Sequence, residues 1–245
     1  MRSSNPILSN DIFSAHTRVE TEQMTIQGTV NKCFLLLVMV LGAASWTWRL
    51  FFESGAQAVT PFIVVGAIGG LVLALMTYFK TQWAHVTAPA YAVCQGLFLG
   101  ALSSMFEASY PGIVIQAVGL TFGTLFCLLG AYKSGLIKVT ENFKLGIAAA
   151  TGGICMFYFV SFILSMFGFH LNVIYGNGLL GVGFSLIVVT IAALNLVMDF
   201  DFIEEGARQS APKQMEWVGA FALMVTLIWL YIEILRLLAK LRDRR

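Results

Sequence analysis

The chain has 245 residues, 58% of them apolar and only 11% charged, with a formal net charge of +2 and a mean hydropathy of +0.81. Apolar stretches near bilayer-spanning length recur from one end to the other, which excludes a soluble domain with its own core and marks a membrane protein. In such a chain the placement of Lys and Arg matters more than their sum, and nothing in the balance of charge points to nucleic acid.

Residues 1–32 are polar and contain Pro6, so they read as a cytoplasmic tail, with a short interfacial helix in "VETEQMTIQGTVNK". The first apolar run starts too late and is too long for a signal peptide. Seven runs follow, at about 33–51, 61–79, 86–106, 113–132, 145–168, 177–200 and 217–238. At about 1.5 Å per residue each spans or nearly spans a hydrocarbon core of about 30 Å. The fold expected is therefore an all-α polytopic membrane protein, a compact bundle of seven transmembrane helices over residues 33–240, with a basic tail at 241–245. Breaks are supplied by "ESGAQAVTP" closing at Pro61, by "EASYPG", and by "GNG" after Tyr175.

Close helix packing in lipid needs small residues, and two stripes offer them: Ala92, Gly96, Gly100 and Ser104 in the third run, Gly119 and Gly123 in the fourth. Cys33, Cys94, Cys127 and Cys155 form no CxxC pair and read as small lipid-facing or core residues. An inside amino terminus gathers Arg2, Arg18, Lys32, Lys80, Lys133, Lys138, Lys144, Arg208 and Lys213 on the cytoplasmic side and leaves Arg49 in the outer loops. The tail "RLLAKLRDRR" resists that scheme, so it is either translocated against the bias or preceded by a re-entrant last run.

The sixth run ends in Asp199, Asp201, Glu204 and Glu205 before Arg208. A helix carboxyl end carries partial negative charge, so these acids need a cation, a basic neighbour or a proton to offset them. Gly206 reads as the helix stop. Helical spacing puts Asp199 on a small, polar face with Asn195 and Ala192, turned toward the bundle. Asp201 shares another face with Glu204 and Glu205, at the cytoplasmic mouth. The last run offers a facing stripe of Glu216, Gly219, Thr226 and Glu233. Glu216 suits the favourable dipole at a helix start, and Glu233 has Arg236 and Lys240 to neutralise it.

Three pieces together, "APAYAVCQGLFLGALSS", "LNLVMDFDFIEEGA" and "LYIEILRLLAKL", resemble the transmembrane BAX inhibitor motif family, in its bacterial Bax inhibitor 1-like branch. With the seven-run layout the resemblance covers about residues 28–240. It implies a seven-helix bundle built round a central sixth or seventh helix, in the inner membrane of a bacterium. It also implies an acid pair associated with a pH-sensitive calcium leak, one Asp in the sixth helix and one in the last. Asp199 matches the first, four residues before Ile203. By register on "ILRLL" the second falls at Thr226, and Gln95 stands in "GLFLG" where many relatives carry an acid.

The function expected is thus a pH-sensitive cation leak, with Asp199, Asn195 and Gln95 lining the path and calcium held transiently at Asp199. Asp201, Glu216 and Glu233, the last with Arg236, are candidates to stand in for the missing acid. The alternative is a regulatory protein that modulates a membrane protease or a stress response through the carboxyl tail and the "IEEGARQSAPKQ" loop. No HExxH, GxSxG or Lys-bearing phosphate loop is present, and His16, His85 and His170 lack ligand spacing. The expectation is no enzyme, no resident cofactor or metal, and the lipid bilayer as the first partner.

Overall fold

The computed structural model describes residues 23–168, 176 and 178–244. Most of the polar tail, His16, His170 and the start of the sixth run at Asn177 lie outside the described residues. Seven helices follow in chain order: α1 (Ile26–Ser54), α2 (Ala56–Phe79), α3 (Ala84–Ser109), α4 (Ile113–Lys133), α5 (Glu141–Met166), α6 (Leu179–Arg208) and α7 (Met215–Arg242). A single 3-10 turn at Thr81–Trp83 leads into α3. Each is long and apolar enough to cross a bilayer. The described residues form no strand, only an isolated antiparallel bridge between Gln23 and Pro212.

The helices outrun the apolar runs because their polar ends are capped. α1 begins at Ile26, where the Thr25 hydroxyl accepts from Gly28 N at 2.9 Å. α4 starts under Glu107, whose carboxylate accepts from Gly112 N at 2.5 Å and Val114 N at 3.1 Å. Two expected stops are corrected. The break before α2 is not at Pro61 but at Gly55, a one-residue turn with φ 83° that a side chain would strain. Pro61 lies inside α2, close enough to its start that the missing N–H costs a single bond in the opening turns. Gly206 does not end α6 either: the helix runs on to Arg208 and stops where Ser210 turns to φ 54° ahead of Pro212.

The seventh helix is the central one. One core cluster joins Ile113 and Ala117 of α4, Ala192, Leu196 and Phe200 of α6, and Leu230, Ile234 and Leu235 of α7. A second joins Leu36 and Val40 of α1, Ala88, Tyr91 and Ala92 of α3, and Ala220, Met224 and Ile228 of α7. Successive lengths of α7 thus carry the two halves of the core, residues 220–228 the second cluster and residues 230–239 the first. α7 runs 28 residues without a break, long and apolar enough to cross a bilayer, where a re-entrant run would need a turn within it.

The third-run stripe packs as read. A Cβ on Gly96 would stand 2.5 Å from the Val40 carbonyl oxygen, and one on Gly100 would overlap Ala44 and Thr47, so α1 and α3 touch backbone to backbone. The fourth-run stripe does not: nothing lies within 4 Å of a Cβ placed on Gly119 or Gly123, since α4 meets its neighbours through Ile113, Ala117 and Thr121 instead.

Candidate functional site

Asp199 lies on α6 where α1 and α7 both approach it. The Thr226 hydroxyl of α7 and Cys33 of α1 both stand near the carboxylate, close enough to feel its charge. Its Oδ2 is buried with no hydrogen-bond partner, one of two such side-chain atoms among the described residues; the other is the rotatable hydroxyl of Ser161. A carboxylate so enclosed is costly, and an unsatisfied oxygen of this kind asks for a proton or a cation. Thr226 thus lies near Asp199 where α6 and α7 meet.

Two other expected members of the path are elsewhere. Asn195 donates to the Thr151 hydroxyl of α5 at 2.8 Å and to Ile191 O at 2.8 Å, which turns its amide away from α7. One turn of helix advances about 40° past a full circle, enough to hand the two side chains to different neighbours. Gln95 lies over Gly70 of α2, where the missing side chain makes room for it, so it faces the α2–α3 seam and not Asp199.

Asp201 pairs with Lys144 of α5 at 3.1 Å, and the Tyr132 hydroxyl of α4 reaches both Asp201 and Glu204. Glu205 is held by Arg208 and Gln209 on its own helix. These acids at the end of α6 therefore each have a donor within reach, and Asp199 differs from them in having one unpaired oxygen.

Glu216 is 2% exposed at the start of α7. It accepts from Thr25 N and Thr25 Oγ1, both at 2.9 Å, and is ion-paired with Lys32. Gly28 allows this, because a Cβ there would overlap the carboxylate. The helix dipole alone is thus a minor part of its environment: Glu216 ties α1 to α7. The signal missed in sequence is Lys32, 184 residues away, whose charge served there only to orient the chain.

Glu233 lies at the far end of α7, also 2% exposed, accepting from Tyr158 Oη of α5 at 3.1 Å and from Arg236 at 3.1 Å. Lys240 is near enough to feel the charge of Glu233, while its ammonium donates to Gly181 O at 3.2 Å and Ser185 Oγ at 2.9 Å of α6. Glu233, Arg236, Lys240 and Tyr158 line a cavity of about 570 Å³. A second cavity of about 470 Å³, almost wholly apolar, lies between α1, α3, α4 and α7. No cluster of three His, Cys, Asp or Glu occurs among the described residues, and His85 is occupied with Gln82 O at 3.1 Å.

Neither the curated proteins nor the solved structures searched gave a match. The family model described as Bax inhibitor 1 like matches residues 5–243, nearly the whole chain. A seven-helix bundle centred on α7, an acid at Asp199 and this match over nearly its full length together show that the chain is a multi-pass membrane protein of the Bax inhibitor 1 like family.

Proposed function

We propose that this protein is a pH-sensitive cation leak of the bacterial inner membrane, permeable to calcium, with its amino terminus in the cytoplasm. The observation that carries the reading is the buried Asp199 oxygen without a hydrogen-bond partner, set where three helices meet. A hard carboxylate oxygen suits calcium, and a neutral hydroxyl at Thr226 as its neighbour leaves it able to exchange partners. Ionised Asp199 attracts the cation; protonated Asp199 does not, and it also changes the contact that joins α6 to α7. The Cys33 thiol on α1, close enough to feel the charge of Asp199, supplies no positive charge to compete. The reading includes no catalytic step and no resident cofactor.

The test is calcium entry into liposomes holding the purified protein and an internal indicator, from about pH 6 to about pH 8. Flux rises with pH in the wild type, as the charge on Asp199 is uncovered. Asp199→Asn keeps the shape without the charge, so its flux is low and flat across the range, by about tenfold at the upper end. Equal flux and equal pH dependence in the two proteins overturns the reading.

A further inference from the structure

The segment ahead of α1 lies across the α6–α7 loop and the start of α7, at the end of the bundle toward which α6 runs from Asp199. Met24 N donates to Ala211 O at 2.7 Å, Gln23 bridges to Pro212, and Thr25 is bound through backbone and hydroxyl to Glu216. Lys32 completes the attachment from within α1, paired with Glu216 and 5.4 Å above the Trp217 ring. The segment is held at both edges, by the α6–α7 loop and by the first turn of α7.

Its one apolar side chain points inward. Met24 is buried, with its sulfur 2.8 Å from where a Cβ on Gly206 would stand. Around Gly219 the same construction places Ile203 Cγ1 at 3.1 Å, Thr29 Cγ2 at 3.3 Å and Met24 Cε at 3.5 Å. Met24, Thr29 and Ile203 therefore close over the bare backbone of Gly219 as one layer. Thr29 lies one turn before Cys33 and Ile203 one turn after Asp199, so the layer stands about 6 Å below the acid on both helices. No charged group belongs to it.

We propose that residues 23–25 form a strap that closes this end of the ion path, with Met24 as the stopper and the Glu216–Lys32–Thr25 attachment as its latch. The strap is pinned by few apolar contacts and several polar ones, which is the make-up of a segment that opens locally while the bundle stays folded. Gly28, Gly206 and Gly219 serve the same device: each leaves room for the latch or the stopper to lie against a helix backbone.

The inference rests on Asp199 being the ion site, and its test separates the two. The reporter is Thr226→Cys in a chain with Cys33, Cys94, Cys127 and Cys155 replaced by Ala, in lipid nanodiscs, labelled by a small cationic thiol reagent. With the strap intact the buried thiol reacts slowly. Met24→Ala removes the stopper, and Glu216→Gln weakens the latch without removing bulk, so each accelerates labelling by about tenfold or more. Calcium flux of the same two strap variants, without the reporter, is then measured in liposomes. Faster labelling with raised flux supports strap and leak together. Faster labelling without flux keeps the strap and removes the leak. Fast labelling in the parent, or rates within about twofold in all three proteins, overturns the strap even if flux is present.

Discussion

Two buried glutamates on α7 are neutralised by different means, and the difference sets how each responds to substitution. Glu216 is bound by three donors from α1 and its cap, so Lys32→Met strands a carboxylate that Thr25 alone must serve. Breaking a buried pair from one side costs about 3 kcal/mol, and the thermal midpoint of the detergent-solubilised protein falls accordingly. At the far end, Arg236→Ala removes the half-exposed partner of a buried acid, whereas Glu233→Gln removes the buried charge itself and keeps a hydrogen-bonding amide. Arg236→Ala is therefore the more damaging of the two, by about 1–2 kcal/mol, read as the gap between their unfolding midpoints. The family resemblance, by register on "ILRLL", set Thr226 at the position of the second acid, and the structure brings it near Asp199. Sequence could not reveal Lys32 against Glu216, since that contact is closed by tertiary packing across nearly the whole chain. Asn195 misled for a local reason: its amide had the choice of two neighbours, and Thr151 took it.

At the scale of the helix, glycines with identical spacing have opposite roles. Gly100 of α3 is pressed against Ala44 and Thr47, while Gly119 of α4 faces open space. Gly100→Val forces α1 and α3 apart and costs about 2–3 kcal/mol. Gly119→Ala meets nothing and gains about 0.5 kcal/mol, from the lower backbone freedom of the unfolded chain. Parallel thermal melts read both, and the opposite signs are the result that matters. Spacing alone could not assign these roles, because the pattern says which residues share a stripe and not which way the stripe faces. Helix existence was legible from apolar length. The ends were not, because Thr25, Glu107 and Ser210 fix them through capping and backbone turns outside the apolar runs.

For the whole molecule, the described residues hold seven helices long and apolar enough to cross a membrane, and seven crossings are expected to set the start of α1 and the end of α7 on opposite faces. A reporter fused after Arg245 is expected on the outer face and one fused before Met1 in the cytoplasm, so the basic tail is carried across despite its charge. Both reporters on one side would require one helix to lie out of the bilayer. The arrangement also bears on how the protein is made. α7 follows the other six helices in the chain, yet it supplies Leu230, Ile234 and Leu235 to one cluster and Ala220, Met224 and Ile228 to the other. The buried residues of one cluster come from α4, α6 and α7 and those of the other from α1, α3 and α7, so α7 contributes to both. Both clusters therefore stay incomplete until α7 is in place, and a chain truncated before Met215 is expected to leave each of them open.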